Sequence, residues 1–407
     1  MKFGLFFELQ EPKPWVEGGA HRIAKQTIDQ IELADKLGFD YAWMVEHHFL
    51  EEYSHSSAPE VVLAAASQRT EQIRLGHGVM VITPKINHPA RVAERISMLD
   101  LISDGRVEFG SGESSTPVEL GGFDVEWNSK QAACEESLEA IIRMFAEQPF
   151  AGFQGEYVRM PPRNVLPKPL QRPHPPLWRS ASRRDGIVEA AKRGTGALTL
   201  SFLGPEEAGK WVDDYYATIE SEDCVPVGRS VNPNVAMTMY LMAHEDEAVA
   251  RRQGLASHEF FARAVIYYYR YGRPMPGHTN LWQDLGIPDV EAGIAEPSAT
   301  AGSAFDGVGT PEQIKANLRK YEEVGVDQIL LICQTGRIPH DQICASLELF
   351  AREVMPEFHE RDEAREKAKL TRLAPAIEKA LGRRRVPVPK IEDGYRIEPP
   401  PGPRIKQ

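Results

Sequence analysis

The strongest constraint on the fold is a repeated alternation of short apolar segments with longer segments of helical periodicity. Apolar runs rich in β-branched and aromatic residues predict strands, and apolar residues spaced three and four apart predict amphipathic helices. The predicted strands are Lys2–Phe7, Tyr41–Val45, Ile73–Ile82, Val107–Ser111, Leu177–Ser180, Ala197–Phe202, Val235–Met242 and Gln328–Cys333. The predicted helices are Ala24–Leu37, Ala58–Arg69, Ala90–Ile102, Ser129–Phe145, Asp185–Arg193, Pro205–Ile219 and His340–Val354. Repeated β-α units form parallel sheets with right-handed crossovers, and eight units in one chain predict a closed (β/α)₈ (TIM) barrel.

Two segments do not fit this repeat. Residues 245–310 form a long insertion between the seventh and eighth strands, in which the aromatic cluster Phe260–Tyr271 precedes the Gly/Ala/Ser-rich stretch Ala292–Gly307. Connections of this length are often lids or binding loops, so we expect an aromatic lid here. We divide the chain into a barrel, residues 1–358, and a C-terminal extension, residues 359–407, which is charged and then Pro-rich.

The charge balance excludes some classes of partner. Of the 407 residues, 59 are acidic and 47 are Lys or Arg, for a net charge of −12. No basic surplus is left to neutralise phosphates, which argues against nucleic acid and against an anionic membrane. We read the chain as cytoplasmic, because Glu8 interrupts the first apolar run and no run approaches the ~18 residues of a membrane span. Four scattered cysteines predict neither a disulfide framework nor a zinc site.

The second predicted strand ends in Glu46-His47-His48-Phe49. Polar residues just past the C-terminal ends of barrel strands point into a common mouth, and adjacent residues project in opposite directions. We therefore predict that His47 is a general acid/base or cofactor-side donor, with Glu46 setting its tautomer. A hydrogen-bonded structural pair is an equal alternative. A metal site of Glu46, His47 and His55 is a weaker one, and no metal is expected.

Glycines mark the third and fourth strands. Gly76 and Gly78 lie inside the third strand, where glycine weakens pairing unless something such as a ligand ring packs closely. The fourth strand ends in Ser111-Gly112, and glycine lets a flat ring approach the backbone. We take Gly78, Val79, Ser111 and Gly112 as candidate cofactor contacts. A bulge and a tight turn would account for the same glycines.

The fifth strand runs through Ser180, Ala181 and Ser182 directly into a helix. Free backbone N–H groups and the positive end of a helix dipole suit a phosphate, so these three residues form a candidate phosphate site. Lys130, at the start of the fourth predicted helix, is a candidate additional cation. An ordinary serine N-cap and a solvated surface lysine remain the alternatives.

Taken together, these runs resemble the bacterial luciferase-like flavin-dependent monooxygenase family. The resemblance extends from Met1 to about Phe358 and follows the order of the eight units. The shared runs are Lys2-Phe3-Gly4, Trp43 through Phe49, His88-Pro89-Ala90-Arg91, Asp104-Gly105-Arg106-Val107, Pro175-Pro176-Leu177-Trp178, Ala190-Ala191-Lys192-Arg193-Gly194, Val308-Gly309-Thr310-Pro311-Glu312 and Val354-Met355-Pro356.

The resemblance implies a (β/α)₈ barrel with an insertion after strand seven, a homodimer, and reduced FMN as cofactor, or F420 in some branches. In the FMN branch a separate NAD(P)H:flavin reductase supplies the reduced flavin, which reacts with O₂ to give a C4a-peroxyflavin. The family's active-site histidine falls on His47, and its non-proline cis peptide beneath the ring falls on Gly78–Val79. Its phosphate site falls on Ser180–Ser182, with help near Lys130.

Two positions depart from luciferases proper. Gly112 stands where they carry a reactive cysteine, so aldehyde-driven light emission is not expected. Glu113 stands where they carry an arginine, and an acid there would repel a phosphate. Arg179, Arg183 or Arg184 could then supply the missing positive charge.

Three functional hypotheses follow. The first is a two-component monooxygenase that uses reduced FMN and O₂, through a C4a-peroxyflavin, to oxygenate an apolar or carbonyl-bearing small molecule. The second is an F420-dependent dehydrogenase or reductase of the same fold. The third is a non-catalytic flavin-binding protein.

Overall fold

The structure, a computed structural model, describes residues 1–284, 302–385 and 389–397. Its strands are, in chain order, β1 (Lys2–Phe7), β2 (Tyr41–Met44), β3 (Arg74–His77), β4 (Met80–Val81), β5 (Val107–Gly112), β6 (Phe153–Gln154), β7 (Arg159–Met160), β8 (Leu177–Ser180), β9 (Gly196–Leu198), β10 (Val235–Ala243), β11 (Gly307–Gly309) and β12 (Gln328–Ile332). Its α-helices are α1 (Gly19–Leu37), α2 (Pro59–Ser67), α3 (Pro89–Ile102), α4 (Pro117–Gly122), α5 (Lys130–Ala146), α6 (Arg184–Lys192), α7 (Pro205–Glu220), α8 (Glu247–Ile266), α9 (Leu281–Asp284), α10 (Pro311–Glu323), α11 (His340–Glu353) and α12 (Met355–Arg383).

Eight parallel strands close into a barrel. The pairing order runs β10-β12-β1-β2-β3-β5-β8-β9, and β9 pairs with β10 to complete the circle. The closing register places Val235 beside Ala197. The predicted (β/α)₈ barrel is therefore confirmed, with a long insertion between its seventh and eighth strands and a helix, α12, beyond its last β-α unit. Helices α4 and α10 and the β6–β7 hairpin were not predicted.

The third predicted strand, Ile73–Ile82, is wrong as one continuous element. It divides into β3 and β4, and the peptide bond Gly78–Val79 between them is cis, as predicted for these two residues. The N–H of Gly78 donates to the carbonyl of Met44, the last residue of β2, at 2.7 Å, and β4 pairs with β5. The backbone at the break therefore faces the second barrel strand.

The insertion begins with α8, which covers one side of the C-terminal end of the barrel. The ring of Tyr240 on β10 stacks between Phe202 and His258 of α8, each with its ring centroid 4.5 Å away. Phe260 and Phe261 of the predicted lid are fully buried. The aromatic cluster therefore fills the barrel end, and Tyr267–Tyr271 continues α8 as a π-helix.

Part of the insertion and part of the extension lie outside the described residues. These parts are residues 285–301, which include most of the Gly/Ala/Ser-rich stretch, and residues 386–388 and 398–407 of the Pro-rich tail. The described part of the extension is mainly the end of α12.

Helix α12 lies across the N-terminal end of the barrel. The amino group of Met1 pairs with Asp362 at 2.8 Å, and Lys369 pairs with Asp327 at 2.9 Å. These contacts join α12 to the beginning of β1 and to the residue before β12. Among the described residues, no helix combines the length and the apolar character needed to cross a bilayer.

Two tryptophans fill the barrel interior. Trp43 on β2 and Trp178 on β8 meet edge to face, with ring centroids 5.2 Å apart. A Cβ atom at Gly76 would lie 2.2 Å from the Trp43 ring, and one at Gly196 would lie 2.4 Å from the Trp178 ring. Gly76 therefore accommodates an indole of the chain itself rather than the ligand ring considered from the sequence.

We expect Gly76→Ala to destabilise the fold by about 3 kcal/mol, because the new methyl group has no space beside a fully buried ring. Urea unfolding would measure the change. Gly382→Ala in α12, where a Cβ meets nothing within 4 Å, is the matched control. In the presence of Trp43→Leu, Gly76→Ala should lower the free energy of unfolding by less than it does alone. If the effects of the two substitutions simply add in the double variant, the steric explanation is contradicted.

Candidate functional site

A pocket lies at the C-terminal ends of the barrel strands. Glycines and aliphatic side chains form much of its wall, and carboxylates and a histidine form another part. The lining residues are Phe6, Glu8, Val45, Glu46, His47, Gly78, Val79, Val81, Gly112, Glu113, Ser114, Ser115, Ser180, Ser182, Leu198, Thr199, Leu200, Tyr269 and Leu330. Seven of the ten predicted site residues are among them: Glu46, His47, Gly78, Val79, Gly112, Ser180 and Ser182.

The other three predicted residues do not line the pocket. The hydroxyl of Ser111 donates to the carbonyl of Trp178 at 3.3 Å. The N–H of Ala181 donates to the carbonyl of Leu198 at 2.8 Å, so barrel pairing uses the group expected to bind a phosphate. Hydrogen bonds within the chain therefore occupy the Ser111 hydroxyl and the Ala181 N–H. Lys130 lies behind the pocket wall.

His47 stands between two acids. Its Nδ1 lies 2.9 Å from Oε1 of Glu119, and its Nε2 faces the hydroxyl of Tyr269 at 3.3 Å and Oε2 of Glu8 at 3.7 Å. Burial alone would lower the pKa of His47, but the charges of Glu119 and Glu8 outweigh it and raise that pKa to about 9. The ring is therefore an imidazolium at neutral pH.

Glu119 is surrounded by donors. Its carboxylate accepts from the backbone N–H of His48 at 2.9 Å, from the Ser114 hydroxyl at 2.8 Å and from the Thr116 hydroxyl at 2.7 Å, in addition to His47. Burial would raise the pKa of Glu119, yet the His47 charge and these hydrogen bonds lower it to about 2. The ionised carboxylate fixes Nδ1 of His47 as a donor.

Glu46 does not set the tautomer of His47, and that prediction is wrong. Its carboxylate accepts from the Val81 N–H at 2.9 Å and from the Asn87 amide at 2.7 Å, and it lies 3.1 Å from Nε2 of His48. The geometry assigns the tautomer-setting contact to Glu119. Glu46 instead joins the second strand to the segment around the cis peptide.

His47 and His48 project in opposite directions, as predicted. The three residues of the alternative metal site, Glu46, His47 and His55, do not come together. His47 faces the pocket, whereas His48 contacts Phe123 at a ring distance of 4.9 Å. Nε2 of His55 bonds to the carbonyl of Glu51 at 2.7 Å, away from the proposed set. Within the described ranges, His, Cys, Asp and Glu side chains form no group of three or more placed to hold a metal.

Glu8, the residue after β1, is buried beside His47. Its Oε1 accepts from the Tyr53 hydroxyl at 2.7 Å, and its Oε2 is buried without a hydrogen-bond partner. Burial raises the pKa of Glu8 to about 7, against the opposing charge of His47. The sequence shows an acid directly after an apolar strand, and this strand-end position was the signal for a site residue.

Glu119 was also missed, although its helix has a sequence signal. Thr116-Pro117-Val118-Glu119 combines the Thr-x-x-Glu capping pattern with proline at the first helical position. In the structure the Thr116 side chain accepts from the N–H of Glu119 at 3.2 Å. This cap begins α4 and directs Glu119 back toward His47.

The serine N-cap alternative is not what the structure shows for α6. Arg183 occupies the N-cap position, and its side chain makes no capping hydrogen bond. Ser180 and Ser182 instead line the pocket. These two serines are therefore placed together at one part of the pocket wall, shortly before α6 begins.

The three arginines considered as phosphate cations do not line the pocket. Arg179 pairs with Glu135 at 2.6 Å, Arg183 is mostly exposed, and Arg184 pairs with Asp214 at 2.5 Å. Of these three arginines and Lys130, Lys130 is therefore the best placed to act as a cation for a phosphate.

Lys130 is tied to the pocket wall through its neighbours. Its Nζ pairs with Glu113 at 2.9 Å and donates to the carbonyl of Ser114 at 2.8 Å. Glu113 therefore offsets the charge of Lys130 at this part of the site.

The segments around the mouth are held to one another. Glu52 accepts from the N–H groups of Lys13 and Leu281, both at 2.7 Å. The ammonium group of Lys13 pairs with Glu51 at 2.9 Å and donates to the carbonyl of Thr279 at 2.5 Å. These bonds connect the loops after β1 and β2 to the segment that follows Tyr269.

We expect Glu119→Gln to lower the pKa of His47 toward its ordinary value of about 6.5, because the nearest negative charge is lost. An NMR titration of the His47 ring would measure the shift. Glu46→Gln is the control, since Glu46 contacts His48 and should change the pKa of His47 much less. Equal shifts in the two variants would contradict the assignment of Glu119.

A family model described as luciferase-like monooxygenase matches residues 1–328. The oxygenase component of a flavin-dependent trigonelline monooxygenase from Acinetobacter baylyi is 25% identical over 368 residues, covering 88% of this chain and 96% of the relative. A monooxygenase structure from Streptomyces bottropensis is 28% identical with a TM-score of 0.71, covering 88% of this chain and 100% of the other.

Two more distant structures share the fold alone. One is the oxygenating constituent of 3,6-diketocamphane monooxygenase from Pseudomonas putida in complex with FMN, at 20% identity and a TM-score of 0.66, covering 88% and 98% of the two chains. The other is an F420-dependent tetrahydromethanopterin reductase from Methanopyrus kandleri, at 20% identity and a TM-score of 0.61, covering 88% and 99%. The comparisons support an oxidoreductase with a flavin or deazaflavin cofactor, and the chain belongs to the luciferase-like monooxygenase family.

Proposed function

We propose that this chain is the oxygenase component of a two-component monooxygenase. It would use reduced FMN, delivered by a separate NAD(P)H:flavin reductase, and O₂ to oxygenate an apolar or carbonyl-bearing small molecule. The observation that carries the proposal is the ring of His47, which lies 2.9 Å from Glu119 and 3.7 Å from Glu8 at the wall of a glycine-lined pocket. The flavin-dependent oxygenase component from Acinetobacter baylyi supports the same assignment.

The donors that line the pocket suit a flavin with its phosphate. The hydroxyls of Ser180 and Ser182 would hold the phosphate, and His47 would face the ring system. Gly112 and Gly78 are explained by the packing of the chain itself, because a Cβ at Gly112 would lie 2.4 Å from a methyl group of Val79 and one at Gly78 would lie 3.0 Å from the Phe6 ring.

The chain's own groups would act around that cofactor. Reduced flavin, when bound, supplies the two electrons with which O₂ is activated. The Nε2–H of His47 is a cationic donor that can stabilise negative charge developing on an oxygen atom in the pocket. The aliphatic side chains of Val79, Leu198 and Leu330 limit the access of water to that atom.

We expect the protein to bind reduced FMN in an anaerobic titration and, with a flavin reductase and NADH, to consume O₂ when a substrate is added. His47→Asn should lower the rate about 100-fold or more, because it removes the cationic donor. His48→Asn is the matched control, since the ring of His48 points away from the pocket. Binding of F420 in preference to reduced FMN, with no O₂ consumed, would overturn the proposal in favour of hydride transfer.

We also propose that the chain forms a homodimer through α2 and α3. Both helices expose large apolar side chains: Val61 is 64% exposed and Met98 is 49% exposed, with Leu101 and Ile102 beside Met98. Exposed apolar patches of this kind mark interaction sites in soluble proteins. The family resemblance supports a second copy of this chain as the partner.

Met98→Glu should convert the dimer to a monomer, because a carboxylate would be buried without a partner at the interface. Sedimentation velocity would measure the molecular mass. Leu370→Glu, which changes a residue 42% exposed on α12 and outside the proposed interface, should remain dimeric. A monomeric parent protein would exclude the interface.

A further inference from the structure

Oε2 of Glu8 is buried and makes no hydrogen bond to any of the described residues. Two other residues of the pocket, Glu113 and Thr199, also have such an oxygen, and that of Glu8 lies 3.7 Å from Nε2 of His47. An unpartnered buried carboxylate oxygen is costly, so a donor from outside the chain would be strongly favoured at this point. Glu8 lines the pocket, from which such a donor would come.

One donor faces the same point. Nδ1 of His47 is committed to Glu119, and Nε2 presents its N–H toward the pocket, where its contact with the Tyr269 hydroxyl is long, at 3.3 Å, and can be shared with a ligand. That nitrogen is 3.7 Å from Oε2 of Glu8. A single ligand hydroxyl can therefore donate to Glu8 and accept from His47 at the same time, because a hydroxyl is both a donor and an acceptor.

The two groups differ in their ability to take a proton. His47 is flanked by Glu119 and Glu8 and is already protonated at neutral pH, so it cannot act as a base there. Glu8 faces the charge of His47, the more distant carboxylate of Glu119 and the phenol of Tyr53, and burial brings its pKa to about 7. It is therefore present in both protonation states near neutral pH.

The proton of Glu8 has a defined place. Tyr53 donates its hydroxyl hydrogen to Oε1, so Oε1 is an acceptor and the exchangeable proton resides on Oε2. The exchangeable oxygen is thus the one that lines the pocket without a partner.

We propose that Glu8 and His47 together bind and deprotonate a weakly acidic hydroxyl of the organic substrate, a phenol or an enol, with Glu8 as the base and His47 as the cation that holds the oxyanion. The O–H bond of the substrate breaks, its electron pair stays on the substrate oxygen, and a new O–H bond forms at Oε2 of Glu8. The inference rests on the proposed function and narrows its substrate class, since an enol is the more acidic tautomer of a carbonyl compound.

The test uses 3-nitrophenol, a weaker acid than 4-nitrophenol whose phenolate also absorbs visible light, and the protein without cofactor. At a pH just above the pKa of Glu8, where Glu8 is mostly ionised and the free probe is still mostly neutral, we expect the parent protein to give the phenolate band on mixing. Glu8→Gln keeps an acceptor for Tyr53 but cannot take the proton, so the band should disappear. Probe binding should weaken about 10- to 100-fold, the effect of losing a charge-assisted hydrogen bond.

Companion variants separate this role from a structural one. Glu8→Asp retains a carboxylate and should restore part of the band, and Glu259→Gln, which removes a buried carboxylate of α8 that does not line the pocket, should keep it. Circular dichroism would establish that each variant is folded. A phenolate band of parental size in folded Glu8→Gln, or no band in the parent protein, overturns the inference.

Failure of the proposed function would look different. If neither reduced FMN nor F420 bound while the parent protein still ionised the probe, the cofactor assignment would fail and the hydroxyl site would stand. If reduced FMN bound and the probe stayed neutral, the hydroxyl site would fail and the cofactor assignment would stand.

Discussion

The packing of Trp43 against Trp178 inside the barrel is the contact on which the position of the pocket depends. A closed eight-stranded barrel has an interior that side chains must fill, and here two indoles meet edge to face at 5.2 Å. They fit because Gly76 and Gly196 present no side chain to them. The indole nitrogen of Trp178 donates to the buried Glu108 at 2.6 Å, and Arg74 pairs with the same carboxylate. The pocket lies at the C-terminal ends of the strands, beyond this filled layer.

The charges around His47 depend on how many hydrogen-bond donors surround each of the two acids beside it, Glu119 and Glu8. Glu119 and Glu8 both approach His47, but Glu119 accepts from three further donors, whereas Oε1 of Glu8 accepts from the Tyr53 hydroxyl and its Oε2 has no hydrogen-bond partner among the described residues. A carboxylate rich in donors stays ionised when buried, and one poor in donors does not. The same histidine therefore has one permanent anion on its Nδ1 side and one titrating acid on its Nε2 side.

The cofactor end of the pocket is less strongly charged than the resemblance implies. Lys130 is offset by Glu113, and Arg179 is paired with Glu135. The hydroxyls of Ser180 and Ser182 would therefore contribute much of the phosphate contact in the proposed function. An oxygenase component that receives reduced flavin from another protein needs to bind and release it, and modest charge at this end is consistent with that exchange.

The sequence by itself determined the barrel, because its eight strands and the helices of seven of its units carry local periodicity that can be recognised without any distant residue. Position along the chain also identified His47, Gly78 and Gly112, since residues at the ends of parallel barrel strands must meet at one mouth. The tertiary structure alone decided which acid holds His47. Glu46 is its sequence neighbour, yet Glu119 reaches it from 72 positions away, and α4 places that carboxylate through the Thr116 cap. Glu8 likewise acquired its shifted pKa only from burial beside Tyr53 and His47, an environment assembled from separate strands and therefore absent from any local pattern.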